Sequence, residues 1–182
     1  AIGILPSAVG KIHDIHRRQL EKEFAVAEQT LEQRIARLEA HNAICRLMAE
    51  YLLVADQGYD PDNITALFIE EATWEGDGFG RHEGRQAIWD FFDSLSGALV
   101  FAAHFVTNPI ITFESDDRAR GAWRLFQTAT VNSDGVLDSN LLVAAYDNEF
   151  VMLDGVWKFQ AVNVHVNFFE PINKGWANAA KP

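Results

Sequence analysis

Four long segments of β-type sequence, residues 99–113, 119–132, 137–151 and 156–168, follow one another with only short turns between them. Ser115-Asp116-Asp117, Ser133-Asp134-Gly135 and Asp154-Gly155 supply the turns, using residues that tolerate tight reversal of the backbone. Connections this short make neighbouring strands antiparallel. Strands of a dozen or more residues cannot stay flat: they twist and curl, so the sheet must wrap around something.

What it wraps lies upstream. From residue 7 to 41 the chain is rich in Glu, Arg, Gln and Ala, and Leu20, Phe24, Ala27, Leu31, Ile35 and Leu38 recur at three- and four-residue steps. That spacing predicts a long helix with one apolar stripe, either packed on the chain's own sheet or in contact with a second copy. A more apolar helix is expected over 41–56, broken by Gly58. Asp62 is read as the N-cap of a short helix over 63–68. A strand over 72–75, a turn containing Gly76, Gly78 and Gly80, and a helix over 84–95 complete the list. Three helices followed by four long antiparallel strands define an α+β fold: a curved sheet closing as a cone with one open end. The expected organisation is a helical arm at 1–40, the cone at 41–172 and a tail at 173–182.

Composition narrows the function. The 182 residues carry a formal net charge of -11, with 48% hydrophobic and 23% charged residues. So acidic a chain is a poor match for phosphates or an anionic membrane, so neither nucleic acid nor membrane is expected as a partner. The single cysteine, Cys45, allows no disulfide within the chain and fits a reducing compartment. No apolar run reaches the length needed to span a bilayer, and Ala1-Ile2-Gly3-Ile4-Leu5-Pro6 lacks the features of a secretory signal. A cytoplasmic protein is expected. His13, His16, His41, His82, His104 and His165 form no paired-ligand motif, so no metal is expected. The three glycines make no phosphate loop, and no nucleophile elbow occurs.

His104 lies in Val100-Phe101-Ala102-Ala103-His104-Phe105-Val106, a nearly wholly apolar strand. Burial disfavours a cation in general, so an imidazole here is expected to act as a proton acceptor. Asp56 is the acid that follows an apolar helix face instead of lying in a polar loop. Composition and periodicity alone favour the plainer alternative, a core histidine and a helix-terminal carboxylate. Tyr59, Trp74, Phe105, Trp123 and Phe126 are candidate flat walls, or ordinary core. Asn108, Asn140, Asn163, His165 and Asn167 are polar groups in apolar strands, each tied to backbone or exposed in a cavity. Asn163 and His165 share strand parity with Trp157 and Phe159, the expected inward set, which makes them candidate substrate contacts.

The order of elements resembles the SnoaL-like branch of the nuclear transport factor 2-like superfamily. The residues that carry the resemblance run from Ile44-Cys45-Arg46-Leu47-Met48-Ala49-Glu50-Tyr51 to Asp56, through Leu67-Phe68-Ile69-Glu70-Glu71-Ala72-Thr73-Trp74 and His104 with Thr107-Asn108, to Asp154-Gly155-Val156-Trp157-Lys158-Phe159. Within the superfamily the chain is most similar to the hexachlorocyclohexane dehydrochlorinases and scytalone dehydratases, cofactor-free lyases built on an Asp–His dyad. The resemblance implies that Asp56 and His104 are that dyad. It also implies, from the ketosteroid isomerases of the same superfamily, that Tyr51 polarises a substrate oxygen. Those isomerases keep an Asp on the first strand, where this chain has Gly76. The dehydrochlorinases are expected to carry an Arg before the Asp-Gly turn, where this chain has Met152 and Leu153, which argues against halide as the leaving group.

The expected function is therefore a cofactor-independent lyase on a small hydrophobic, aromatic substrate. It would act by loss of water, or by C–C cleavage such as formaldehyde release, in a homo-oligomer (dimer or trimer). The alternatives are an isomerase, the non-catalytic small subunit of a ring-hydroxylating dioxygenase, and a ligand-binding module.

Overall fold

The computed structural model describes residues 29–95 and 97–173. The chain divides into two compact units, residues 1–40 and 41–182. In the first, Thr30 Oγ1 accepts a hydrogen bond from Gln33 N at 3.2 Å, and Gln33 Oε1 accepts one from Thr30 N at 2.9 Å. This reciprocal cap satisfies donors that the first turn of a helix leaves open. Helix α1, Leu31–Asp56, begins there, so Gln29 and Thr30 stand outside a helix where one was expected over 7–41, and the stretch 7–28 lies outside the described residues. The break expected at 41 is absent, because His41-Asn42-Ala43 contains neither Gly nor Pro and the helix continues through it. Leu31, Ile35 and Leu38 are exposed; Leu20, Phe24 and Ala27 lie outside the described residues, as do His13, His16 and the tail beyond 173.

In the second unit α1 buries Ile44, Leu47, Met48, Tyr51, Leu52 and Ala55, one stripe at helical spacing. It stops where Gly58 takes φ +107° and Tyr59 follows at φ 60°. Tyr59 N closes the end by donating to Val54 O at 3.2 Å. Helix α2, Pro61–Thr65, is capped by Asp60, whose Oδ1 accepts from Asn63 N at 3.0 Å. The expected cap, Asp62, sits two residues further on, inside the first turn, and instead accepts from Trp89 Nε1 at 2.7 Å. Helix α3, Arg85–Leu95, buries Ile88, Phe91 and Phe92.

Six strands form one sheet: β1 Phe68–Gly76, β2 Gly80–Glu83, β3 Leu99–Phe113, β4 Arg118–Ser133, β5 Val136–Leu153 and β6 Val156–Pro171, in the order β2-β1-β6-β5-β4-β3. The antiparallel run from β3 to β6 is the one the turns predict, and the α+β class is the one observed. Two features differ. β1 starts at Phe68, ahead of the expected 72, and lies parallel to β6. β2, Gly-Arg-His-Glu, has no strand pattern of its own and forms by pairing with β1.

Alternation sets the inner face. In β4 it buries Ala119, Gly121, Trp123, Leu125, Gln127 and Ala129; in β5 it buries Leu142, Ala144, Tyr146, Asn148 and Phe150. β6 does not keep one phase. Phe150 pairs with Phe159 but Glu149 pairs with Ala161, so Gln160 is an extra residue. Such a bulge reverses which parity faces inward: Trp157 and Phe159 are buried before it, Val162 and Val164 after it. In β3, Asn108 and Pro109 are both spanned by the shift between Thr107↔Arg124 and Ile110↔Ala122, and Asn108 takes the left-handed φ of 57°.

Gly121 is where the core comes closest to the backbone. A Cβ there would stand 2.5 Å from Trp123 Cη2 and Cζ3 and 3.0 Å from Phe150 Cε2. Trp123 is held edge-on against Phe150, with ring centroids 5.9 Å apart. Gly121→Ala is therefore expected to destabilise the fold by about 1–3 kcal/mol in chemical denaturation. An unchanged midpoint would mean that the Trp123 ring is not held in place.

Candidate functional site

The second unit contains a cavity that opens to solvent. Its walls are mostly aromatic: Tyr51 from α1, Tyr59 from the loop after it, Trp74 from β1, Phe79 from the turn between β1 and β2, Phe91 and Phe92 from α3, Tyr146 from β5 and Phe169 from β6. Trp74 and Phe91 lie 4.4 Å apart between centroids, and Tyr59 stacks on Phe92 at 6.1 Å. The polar lining groups besides the phenols are His104 and Gln127. Among the described residues, those lining the cavity include no lysine or arginine.

His104 and Asp56 meet. Asp56, the last residue of α1, accepts from His104 N at 3.0 Å and from His104 Nδ1 at 2.6 Å. A carboxylate only accepts, so Nδ1 carries the proton and, in the neutral ring, Nε2 is left as an acceptor. The His104 side chain is 6% exposed and that of Asp56 31%, so the ring is enclosed while the carboxylate keeps contact with water. Nε2 stands 3.5 Å from Tyr59 Oη. A ring oriented this way can take a proton at Nε2 while the carboxylate steadies the charge that results.

The chain has three tyrosines, and all three line the cavity. Tyr51 Oη accepts from Trp74 Nε1 at 2.9 Å and shares a hydrogen bond with Tyr146. Burial pushes the pKa of Tyr51, Tyr59 and Tyr146 well above the ordinary 10.0. For Tyr59 the neighbouring negative groups add to this and a hydrogen bond with Gln127 opposes it. The phenols therefore remain O–H donors.

Of the residues singled out from sequence, Asp56, His104, Tyr51, Tyr59 and Trp74 come together here. The others do not. Phe105, one step past His104, necessarily points to the opposite face and is 56% exposed; Phe126, its cross-strand partner, is 44% exposed. Trp123 is buried but packs on Phe150, clear of the cavity lining. Asn108 sits exposed in the β3 bulge. The bulge at Gln160 turns Asn163 and His165 away from the cavity: Asn163 Nδ2 donates to Asp147 O at 2.8 Å, and His165 is exposed. Asn140 donates to Asp138 O at 3.0 Å, and Asn167 is the extra residue of a second β6 bulge. Met152 and Leu153 end β5 beside its turn, with Leu153 half exposed and neither in the cavity lining.

Sequence reasoning missed Gln127, Tyr146, Phe79, Phe91, Phe92 and Phe169. The first two were readable from strand parity, since Gln127 follows Trp123 and Leu125, and Tyr146 follows Leu142 and Ala144, on buried positions. Among the described residues, His, Cys, Asp and Glu form no group of three that could hold a metal ion, and no helix is long and apolar enough to cross a membrane.

A family model described as a SnoaL-like domain matches residues 36–163. A hexachlorocyclohexane dehydrochlorinase of Sphingobium indicum is 26% identical over 137 residues, 75% of this chain and 87% of that protein. The crystal structure of a type 2 hexachlorocyclohexane dehydrochlorinase superposes with a TM-score of 0.70 at 26% identity, covering 76% of this chain and 92% of the other. A Novosphingobium aromaticivorans protein provisionally described as a scytalone dehydratase shares the fold, with a TM-score of 0.70 at 21% identity over 82% of this chain and 96% of that one.

Raised phenol pKa values make stability depend on alkali. The unfolded chain releases tyrosine protons from about pH 10 upward while the folded one holds them. The stabilising share is thus complete below the ordinary 10.0 and is lost as pH rises past it. Spectrophotometric titration is expected to show tyrosinate absorbance appearing together with loss of circular dichroism. A tyrosinate step near pH 10 in protein that is still folded would contradict it.

Proposed function

The chain belongs to the SnoaL-like domain family, and we propose that it is a cofactor-independent lyase acting on a small, neutral, largely aromatic substrate. The observation that carries the reading is the 2.6 Å contact between Asp56 Oδ1 and His104 Nδ1, which leaves Nε2 facing an aromatic cavity. His104 is the general base. It takes a proton from carbon or oxygen of the substrate at Nε2, and Asp56 fixes the tautomer and stabilises the imidazolium.

The electron pair released by that proton forms a new double bond as a neighbouring bond breaks. In a dehydration, C–H loses its proton to Nε2, C=C forms, and the departing hydroxyl takes that proton back from the imidazolium to leave as water. In a C–C cleavage, O–H loses its proton to Nε2, C=O forms as the aldehyde, and the C–C electron pair stays on the substrate carbon, which the imidazolium protonates. The lack of lysine or arginine among the described lining residues favours these neutral departures over halide, because nothing in the wall is charged to receive an anion. This is where the reading parts from the dehydrochlorinases, whose name denotes loss of hydrogen chloride.

Tyr51 is held by Trp74 and Tyr146 and is available to donate its own proton toward a substrate oxygen on which charge develops. An isomerase of the ketosteroid type is less well supported, since the first strand offers Gly76 at the position of its base, under the Trp74 ring.

His104→Gln should lower turnover by on the order of 10²–10⁴-fold, as loss of a general base does, in protein that still unfolds cooperatively. Asp56→Asn should lower turnover by a comparable factor, because the amide no longer imposes the tautomer. Full activity in folded His104→Gln protein would overturn the reading.

A further inference from the structure

Tyr59 is a bulky aromatic residue with φ 60°, in the left-handed region that favours glycine. Non-glycine residues persist there only where their surroundings hold them, and such strain gathers at functional sites. The surroundings here are specific. The ring is 5% exposed, stacked on Phe92 within 14° of parallel, and presents its edge to His104 with centroids 6.1 Å apart.

The hydroxyl that results is placed between two partners. Gln127 hydrogen-bonds the phenol oxygen from β4, which frees the phenol's own proton to be donated elsewhere. His104 Nε2 lies 3.5 Å away, a hydrogen bond at the long end of the useful range. A group inserted between Tyr59 Oη and Nε2 exchanges that one long bond for two shorter ones. One chemical group satisfies both at once: a hydroxyl, whose oxygen accepts from Tyr59 and whose proton is given to Nε2. A methyl, a halogen or a carboxylate cannot, and a carboxylate also meets the negative Asp56 behind the ring.

We propose that Tyr59 Oη and His104 Nε2 form a hydroxyl-recognition site, and that the ligands of the cavity are neutral aromatic alcohols. The alcohol oxygen bridges the two groups while the ring lies against Trp74 and Phe91. The proposal rests on the reading of Nε2 as the proton acceptor. It assigns Tyr59 to the hydroxyl oxygen of the ligand, beside the role of Tyr51 at an oxygen on which charge develops, and makes Gln127 the residue that positions it.

The probes are 4-methoxybenzyl alcohol, 4-methoxytoluene and 4-methoxybenzoate, titrated into the full chain by NMR with ¹⁵N-labelled histidine. The alcohol is expected to bind about tenfold more tightly than the methyl compound, the discrimination one well-made hydrogen bond supplies. It should also shift the His104 Nε2 resonance, which the methyl compound should leave in place; the benzoate should bind most weakly. Tyr59→Phe should narrow the alcohol's advantage severalfold without changing the affinity of the methyl compound, the remainder being the bond to Nε2, and Gln127→Leu should narrow it less. Equal binding of alcohol and methyl compound by the unmutated protein, or a preference of unchanged size in Tyr59→Phe, would overturn the proposal. Binding is read without turnover, so these results are independent of whether His104→Gln abolishes the lyase activity.

Discussion

The Asp56 carboxylate is the joint between the helices and the sheet at this site. It ends α1, where the negative end of the helix dipole disfavours an acidic side chain by roughly 0.3–1 kcal/mol. Two hydrogen bonds from one residue of β3 offset that: His104 N at 3.0 Å and His104 Nδ1 at 2.6 Å. Bonds to a charged group are each worth about 1.5–3 kcal/mol. Among the described residues β3 is an edge strand, paired with β4 alone, so this contact fixes both where the strand lies against the helix end and how its imidazole points. An acid at a helix C-terminus breaks a local rule, and the site is where such exceptions are expected.

Around that joint several polar side chains of the interior pair with one another. Trp74 donates to Tyr51, Tyr51 pairs with Tyr146, and Gln127 pairs with Tyr59. Asn148, fully buried, accepts from Asn163 N at 3.2 Å. A paired hydroxyl in an apolar wall keeps its proton and its direction, which is what an oriented donor requires. Packing serves the same end. The left-handed turn at Gly58 and Tyr59 returns the chain sharply from α1, so the Tyr59 ring faces His104 where a longer loop would have carried it away.

Much of the fold was legible from residues. The turns at 115–117, 133–135 and 154–155 and the period of two between them dictate the antiparallel run, because two-residue and three-residue reversals leave no other pairing. The same period misled where it was interrupted. Asn163 and His165 share sequence parity with Trp157 and Phe159, and only the extra residue at Gln160 puts them on the other face. Phe105 and Phe126 failed for the opposite reason: an inward His104 already required its neighbour to face out. Asp62 was mistaken for a cap because Asp60 and Asp62 both precede a short helix, and the choice between them depends on where Pro61 starts it. Thr30 and Gln33 carried a capping signal that marks the start of α1.

The sequence by itself determined the class of the fold, the strands that build the concave face, and the apolar setting of His104. These follow from local periodicity and turn chemistry, which act over a few residues. The tertiary structure alone decided which groups meet at the imidazole. Asp56 and His104 are 48 residues apart and Tyr59 and His104 are 45 apart. Their meeting depends on a helix end, a left-handed turn and an edge strand arriving at one point. Bulges that shift strand phase by one residue decided which side chains face the cavity and which face water, and no local pattern encodes that choice.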